Sequence, residues 1–215
     1  MDFTRARSKE EKEIRINEIK RVADELFKTH PYGEITLTVI AEKLTISRAN
    51  LYKYAKSKEE IFLLLAEDKR DDYFASLLAA FPEGCHFSDE VIADVWAAIL
   101  SSKRDYLSYS EILTSIIETN VSIDRLATFK KNYYKAAEVI ANRLSLLLGL
   151  NKEVTYSLFM SVYYQAMGLS SGCFKSEKIW QAIKKANLDV KVPDLRAELK
   201  NFILTMLKGL RFEYK

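Results

Sequence analysis

The sequence predicts an all-α protein, and three observations lead to that prediction. Apolar residues recur at intervals of three and four along most of the 215 residues, which is the period of an amphipathic helix. Glycine and proline are sparse, at six and three residues, so few of the turns that sheets require are available. No stretch alternates apolar and polar residues as a half-buried strand does.

The first predicted helix covers residues 10–29. It ends there because Pro31 disfavours helix in the residue before it and Gly33 permits a sharp reversal of the chain. One side of this helix is apolar and is expected to pack against the next elements of the chain. The residues of that side are Ile16, Ile19, Ala23, Leu26 and Phe27.

Two short helices come next, joined by a tight corner at Thr45-Ile46. Thr36 is the predicted N-cap of the first and Ser47 that of the second, since each hydroxyl can accept from free backbone N–H groups. The second helix exposes mostly polar residues. Two short helices joined by a turn, the second one polar, predict a helix-turn-helix. The buried stripe of the first helix is Leu37, Ile40, Ala41 and Leu44.

Seven more helices are predicted, for about nine or ten in total. The residues Ser57-Lys58-Glu59-Glu60 form a capping box before the first of them, and Pro82 and Gly84 stop it. Ser88, Ser122 and Asn151 are predicted caps of later helices. The seven cover about residues 58–80, 88–101, 106–117, 122–149, 152–174, 177–186 and 194–212.

The helix-turn-helix resembles the DNA-binding domain of the TetR (tetracycline-repressor) family. The resemblance is carried by Ile40-Ala41-Glu42, by Ile-Ser-Arg-Ala-Asn-Leu-Tyr-Lys-Tyr at residues 46–54, and by Ser-Lys-Glu-Glu at residues 57–60. It covers roughly a quarter of the chain with several fixed spacings, which is more specific than one short motif. Two positions depart from the family. Thr45 stands where the family has Gly, so the corner is a candidate for local reshaping, and Ala55 replaces a Phe.

DNA contacts are predicted on this segment. Arginine suits the acceptor pair of guanine and asparagine the donor–acceptor edge of adenine, and a small residue lets the helix approach closely. The residues predicted to face the bases are Arg48, Ala49, Asn50, Tyr52 and Lys53. Those predicted to hold phosphates by hydroxyl, backbone N–H or charge are Thr36, Thr38, Ser47 and Lys58. The resemblance implies that Tyr54, like Tyr52 and Lys58, faces the DNA backbone or the helix core.

The charge of the chain is unevenly distributed. The net charge is +3, but residues 1–58 hold 13 Lys and Arg against nine Asp and Glu, so the positive excess lies wholly in this segment. Such an excess suits phosphate binding. Residues 1–9 are either a solvated tail or a basic arm that reaches the DNA backbone or minor groove. The cations of that segment are Arg5, Arg7 and Lys9.

We predict two domains, with the helix-turn-helix in residues 1–57 and a helical ligand-binding and dimerisation domain in residues 58–215. One recognition helix reads few bases, so a symmetric dimer on a palindrome is expected. The last helix has a wide apolar stripe that is either core or interface. The resemblance implies dimerisation through the last two long helices. The predicted interface residues are Gly168, Ser171, Leu199, Phe202, Ile203, Met206 and Leu210, with Gly172 beside them.

Aromatic residues are dense in the middle of the chain. They are either plain core or the lining of an aromatic, slightly polar cavity, since buried tyrosine hydroxyls need partners. The resemblance implies an effector pocket in this region, and we predict a small apolar or aromatic effector. The candidate lining residues are Trp96, Tyr106, Tyr109, Phe129, Tyr133, Phe159, Met160, Tyr163 and Met167.

Other chemistry finds little support. Cys85-His86 and the distant Cys173 lack the ligand spacing of a metal site, so we expect no metal and no cofactor. No run is long and apolar enough to span a membrane, and the amino terminus lacks a signal peptide, so a cytoplasmic protein is expected. The absence of a glycine-rich phosphate loop and a nucleophile elbow argues against an enzyme.

We therefore predict a ligand-responsive, dimeric transcriptional regulator, most simply a repressor released from a palindromic operator by its effector. Helix four, which would touch both domains, is the expected transmitter. The alternative is an adaptor of the same fold that no longer reads DNA and binds a protein partner instead. Thr45 and Ala55 support that alternative, whereas the intact Arg48, Asn50 and Lys58 argue against it.

Overall fold

The structure, a computed structural model, describes residues 9–173 and 177–213. This part of the chain forms ten α-helices and no strand, which confirms the all-α prediction. The predicted basic arm with Arg5 and Arg7 lies outside the described residues. The helices are α1 (Lys9–Thr29), α2 (Leu37–Lys43), α3 (Arg48–Leu51), α4 (Lys58–Ala80), α5 (Asp89–Ser102), α6 (Arg104–Ile112), α7 (Ile123–Leu148), α8 (Lys152–Cys173), α9 (Glu177–Lys185) and α10 (Leu195–Glu213).

The predicted helix over residues 106–117 is wrong at its end. Regular α-helix stops at Ile112, a π-helical segment occupies Leu113–Ile117, and a 3₁₀ turn occupies Glu118–Asn120. A π turn contains more residues than an α turn and rotates the next residues about the helix axis. In this conformation Ile117 is fully buried.

The chain divides into two compact units. The first comprises the residues up to Lys69 together with Ile112–Lys131, and the second comprises Arg70–Glu111 together with Asn132–Lys215. Helices α4 and α7 therefore each contribute residues to both units. The boundary after residue 57 between a helix-turn-helix domain and a ligand-binding and dimerisation domain stays a prediction.

The core of the first unit is formed by α1, α2, α3 and the start of α4. Of the predicted apolar face of α1, Ile19, Ala23 and Leu26 are buried and Ile16 and Phe27 are half-buried, and α1 packs against α2. Three aromatic rings join α1 to α4 through edge-to-face contacts, with Phe62 5.4 Å from Phe27 and 4.9 Å from Tyr32 between ring centroids. An ion pair between Lys20 and Asp68 also links α1 to α4. The buried apolar residues of the α1 and α2 faces are Ile19, Val22, Ala23, Leu26, Leu37, Ile40 and Ala41.

The corner between α2 and α3 keeps the shape that a glycine would give it. Thr45 has φ of 54°, in the left-handed region. Its backbone N–H donates to the Glu42 carbonyl at 3.0 Å, and that of Ile46 donates to the Ala41 carbonyl at 3.0 Å. This pair of bonds is a Schellman C-cap with Thr45 at the left-handed position. The corner is therefore not reshaped. Thr45, a β-branched residue, occupies a backbone conformation that is unfavourable for such residues.

The second unit is built around α5 and α10, which pack closely against each other. Asp94 of α5 accepts from Arg196 and pairs with Lys200 of α10, and the hydrogen bond from Lys200 is the main cause that lowers the pKa of Asp94. Arg211 near the end of α10 donates to Asp89 at the start of α5. Charges thus fix the two ends of α10 along α5, while apolar residues fill the contact.

A buried hydrogen bond crosses this second core. The indole N–H of Trp96 donates to the hydroxyl of Tyr73 at 2.8 Å, and both side chains are almost completely buried. Burial raises the pKa of the Tyr73 hydroxyl, so it stays protonated and can accept the bond. The ring of Tyr73 also stacks on Tyr106, with centroids 4.8 Å apart.

Replacing Thr45 with glycine is expected to stabilise the protein. Left-handed backbone costs a β-branched residue about 1–2 kcal/mol, which exceeds the extra entropy that glycine loses on folding. The free energy of unfolding from urea titration should rise by up to about 1 kcal/mol. Thr38→Gly, inside α2, is the control and should lower it, so a loss of stability in Thr45→Gly would contradict the strain at the corner.

Replacing Tyr73 with phenylalanine is expected to destabilise the second unit. The change removes only the hydroxyl and leaves the Trp96 N–H buried without its acceptor, which costs about 1–3 kcal/mol. Chemical denaturation followed by tryptophan fluorescence measures this loss. Tyr134→Phe, at an exposed position of α7, is the matched control and should change stability little. Equal effects of the two substitutions would show that the Tyr73 bond is not important.

Candidate nucleic-acid interface

The recognition helix α3 is a single helical turn that one buried side chain anchors. Leu51 is fully buried and holds the inner side of the turn, and Ala55 is buried just beyond it. Ser47 caps the start, since its hydroxyl oxygen accepts from the Asn50 backbone N–H at 3.2 Å. The opposite side faces outward, where Arg48, Ala49, Tyr52 and Lys53 are exposed, and Asn50 and Tyr54 are half-buried.

The polar side chains of this outward face pair with one another. The guanidinium of Arg48 donates to the Tyr52 hydroxyl at 2.7 Å and lies 5.2 Å from the centre of that ring. The ammonium of Lys53 donates to the amide oxygen of Asn50 at 2.8 Å. These two pairs bring the four polar residues predicted to read bases together on one surface.

The hydroxyl residues predicted to hold phosphates lie at helix starts. Thr36 is the N-cap of α2, and its hydroxyl oxygen accepts from the Val39 N–H at 3.2 Å. Thr38 lies in the first turn of α2, and both Thr36 and Thr38 are exposed. A capping hydroxyl uses its oxygen as an acceptor, so the O–H proton of Thr36 and that of Ser47 stay available to donate to a phosphate oxygen.

Lys58 makes contacts that sequence reasoning did not anticipate. Its ammonium donates to the backbone carbonyl of Tyr32 at 2.8 Å and lies 3.9 Å from the centre of the Tyr32 ring. The Tyr32 hydroxyl donates to the Glu59 carboxylate at 3.0 Å. Burial lowers the pKa of Lys58, with Glu59 acting in the opposite direction, and burial raises that of Tyr32 with help from Glu59. Tyr32 lies between Pro31 and Gly33, where the sequence predicts only the end of the first helix.

The predicted capping box of α4 forms in a shifted version. The Ser57 hydroxyl accepts from the Glu60 N–H at 3.3 Å, as a capping box requires. The Glu60 carboxylate accepts from the backbone N–H of Lys56, at 2.8 Å, and not from that of Ser57. The Glu60 side chain is buried. It lies in the first turn of α4, where the helix dipole favours an anion.

The aromatic residues predicted to line an effector pocket fall mostly in the second unit. Trp96, Tyr106, Tyr109 and Phe159 are buried there, and Phe129 is buried in the first unit. Tyr73 and Phe74, which the predicted lining omitted, each contact several members of this group. The remaining predicted residues of the second unit, which are half-buried, are Tyr133, Met160, Tyr163 and Met167.

The hydroxyl groups of this aromatic group differ in their surroundings. Tyr133 donates to the sulfur of Met160 at 3.5 Å, and burial raises the pKa of Tyr133. Burial also raises the pKa of Tyr106 well above its ordinary value, and its ring lies 6.0 Å from that of Tyr163. The phenols of Tyr106 and Tyr133 therefore stay neutral at physiological pH, so these two residues present aromatic surface and hydroxyls without charge.

Two cavities among the described residues lie outside this aromatic group. One, of about 260 Å³, lies beside the loop that contains Cys85 and His86 and is bounded by Arg143. The other, of about 330 Å³, lies between α1 and the end of α2. In the part of the chain that the structure describes, no group of three or more His, Cys, Asp or Glu residues is placed to hold a metal. No helix there is long and apolar enough to cross a membrane.

The residues predicted for a dimer interface fall into three groups by burial. Leu199 and Ile203 are fully buried in the core of the same chain, and Phe202, Met206 and Leu210 are half-buried. Gly168 and Ser171 are exposed on α8, as is Tyr164, which shares their helix face and has 63% of its surface exposed. The predicted Gly172 and the side chain of Cys173 lie outside the part of the chain whose burial the structure describes.

A capped recognition helix with an outward polar face, held by a helical unit in an all-α chain, defines a DNA-binding protein of the helix-turn-helix class. Comparison of the sequence with known families identifies the particular one. Residues 19–65 match the family described as bacterial regulatory proteins of the tetR family, and residues 67–213 match the tetracyclin repressor-like C-terminal domain. The second match covers more than half of the chain, so the protein belongs to the TetR family of DNA-binding transcriptional regulators.

Solved structures share the fold at low sequence identity. A bacterial regulatory protein of the tetR family from Rhodococcus RHA1 aligns with a TM-score of 0.56 and 16% identity over 90% of this chain and 95% of its own. AmtR of Mycobacterium smegmatis aligns with a TM-score of 0.50 and 18% identity, over 89% and 85%. A TetR/AcrR-family regulator from Thermobifida fusca YX-ER1 gives 0.54 and 17%, over 91% and 98%. No curated protein matches the sequence closely enough to count as a relative.

Proposed function

We propose that this regulator is a repressor that binds a palindromic operator as a homodimer and is released by a small apolar or aromatic effector. The observation that carries the proposal is the outward face of α3, where Arg48, Asn50, Tyr52 and Lys53 lie on a turn anchored by Leu51. Such a regulator acts in the cytoplasm, where its DNA is, and needs no catalytic group, metal or cofactor.

The pairs on α3 define how bases are read. Arg48 uses part of its guanidinium on Tyr52, and its remaining N–H groups can donate to the two acceptors of guanine. The amide oxygen of Asn50 accepts from Lys53 with one lone pair, and its second lone pair and its NH₂ group can bind the donor–acceptor edge of adenine. The exposed Lys53 ammonium beside it is proposed to donate to a phosphate.

The dimer interface is proposed on the outward sides of α8 and α10, two helices that contact each other. The outward side of α8 combines small residues with Tyr164, so a second helix can approach closely. Leu199 and Ile203 stabilise this surface from within, because they fix α10 in the core. The exposed residues of the surface include Ser157, Tyr164, Gly168, Ser171, Ala197, Asn201, Thr205 and Phe212.

The effector site is proposed at the aromatic group of the second unit. Its neutral phenols and stacked rings suit a small aromatic molecule with one or two polar groups. Helix α4 is the proposed transmitter, since it carries Lys58 in its first turn and Tyr73 about four turns later. An effector that moves Tyr73 or Phe74 would shift α4 and so change how α3 is presented.

The corner geometry supports the regulator over the adaptor alternative. Thr45 adopts the left-handed conformation that glycine would give the corner, and Ala55 is buried just beyond Leu51. DNA binding itself separates the two functions, because an adaptor would bind duplexes only weakly and without sequence preference. Turnover with cofactor and metal panels would be the corresponding sign of an enzyme.

Replacing Arg48 with alanine is expected to weaken operator binding and relax its specificity. Loss of a bidentate contact to guanine costs about 1–3 kcal/mol, roughly a fivefold to 150-fold rise in Kd. Fluorescence anisotropy at one fixed salt concentration measures this with duplexes tiled from the DNA that flanks the gene, and with a scrambled duplex.

The matched control for this experiment is Lys185→Ala, which removes one exposed cation from α9. It should leave the affinity for the preferred duplex nearly unchanged. Equal losses in the two variants would mean that Arg48 contributes only general charge. Equal, weak binding of the wild type to all duplexes, also after selection from a random-sequence pool, would favour the adaptor.

Replacing Tyr164 with glutamate is expected to break the dimer. Light scattering at micromolar concentration should give the wild type twice the chain mass of 24.8 kDa and the variant a mass near that of one chain. A buried, unpaired carboxylate at the centre of the interface is the physical reason. Ile123→Glu changes an apolar residue that is 84% exposed outside this surface and should stay dimeric. A dimeric Tyr164→Glu protein would place the interface elsewhere.

A further inference from the structure

Three residues form a compact contact at the start of α4, which we name the Tyr32 latch: Tyr32, Lys58 and Glu59. Tyr32 lies in the 3₁₀ turn Tyr32–Glu34, just before α2, whereas Lys58 and Glu59 open α4. Both Lys58 and Glu59 contact Tyr32. Lys58 donates to its carbonyl and covers its ring, and the Glu59 carboxylate accepts a hydrogen bond from its hydroxyl.

The packing beneath the latch fixes the ring of Tyr32. Phe62 meets it edge-on at 4.9 Å between centroids, and Phe27 meets it at 6.4 Å. Phe62 is completely buried in the core of the first unit. The ring is therefore held on one side by the core and on the other by the Lys58 ammonium, which distinguishes this contact from a mobile pair of surface side chains.

The position of the Lys58 ammonium matters for DNA binding. To reach a phosphate, the Lys58 ammonium would have to give up both its hydrogen bond to the Tyr32 carbonyl and its contact with the face of the Tyr32 ring, and both contacts favour its present position. An exposed lysine such as Lys53 gives up much less. The geometry therefore opposes the phosphate contact that the sequence predicted for Lys58.

We infer that Tyr32 is a positioning residue for DNA binding, which holds the start of α4 against the turn before α2 through Lys58 and Glu59, and that Lys58 acts in this latch and not as a phosphate ligand. This inference rests on the proposed function. The turn leads through Ile35 into Thr36, the N-cap of α2, and α2 continues through the Thr45 corner into α3. A loosened latch would thus displace both Thr36 and α3.

Salt dependence separates positioning from phosphate binding. Each phosphate contact contributes close to one unit to the slope of log affinity against log salt concentration, whereas a group that only positions others leaves that slope unchanged. The experiment measures Kd over a series of salt concentrations with the tightest duplex selected from a random-sequence pool. Its variants are Lys58→Met, Tyr32→Phe and Glu59→Gln, with Lys53→Met as the control for a phosphate contact.

The latch predicts that Lys58→Met raises Kd about tenfold at every salt concentration with no change of slope, while Lys53→Met lowers the slope by about one. Tyr32→Phe removes the hydrogen bond to Glu59 and should raise Kd about threefold, also without a change of slope. Glu59→Gln keeps an oxygen that can accept from the Tyr32 hydroxyl and removes only the charge of the acceptor, so it should raise Kd less than Tyr32→Phe does. The double variant Tyr32→Phe/Glu59→Gln should bind no more weakly than Tyr32→Phe alone, because both changes act on the same bond.

Several results would overturn the inference. A slope lowered by about one in Lys58→Met would make Lys58 a phosphate ligand. Unchanged affinity in both Tyr32→Phe and Glu59→Gln would remove the positioning role. Tyr32→Phe keeps the ring and its packing, so it decides the matter if Lys58→Met fails to fold in a thermal unfolding control. If the wild type binds no duplex even at low salt, the proposed function fails together with the inference. If the wild type binds but the variants give one of the results above, only the inference fails.

Discussion

The burial of Leu51 is the contact on which the DNA-reading surface depends. A helix of one turn is not stable alone, because its few hydrogen bonds do not compensate for the entropy of ordering it. With Leu51 fully enclosed, α3 has a fixed inner side, and its polar residues point outward together. The Ser47 cap and the Schellman corner at Thr45 then set where the turn starts and in which direction it leaves α2.

Side-chain contacts and a cap fix the start of α4 in the same way. Its first turn is capped by Ser57, and the contacts of Lys58 and Glu59 with Tyr32 join it to the turn before α2. The residues of α4 belong to both units, with Lys58 in the first and Tyr73 in the second. Under the proposed function, α4 is the element through which an effector would act on the placement of α3.

Much of this arrangement could be predicted from local sequence patterns, because caps, stripes and turns depend on neighbouring residues. The capping roles of Thr36 and Ser47 are confirmed, as are the helix-turn-helix and the TetR family. The Tyr32 latch could not be predicted, since it joins residues 26 apart through a cation–ring contact that leaves no periodic signal. Nor could periodicity tell that Leu199 is buried in the core of its own chain while Phe202 is only half-buried, because one wide stripe contains both.

Footprinting of the protein on its selected duplex tests the central claim most directly, that paired copies of α3 read the major groove. We predict two protected segments related by a dyad, with their centres separated by about one helical turn of DNA or a multiple of it. Methylation of guanine N7 within each segment should interfere with binding by the wild type, and this interference should disappear in Arg48→Ala. A single protected segment, or interference confined to the minor groove, would contradict the account.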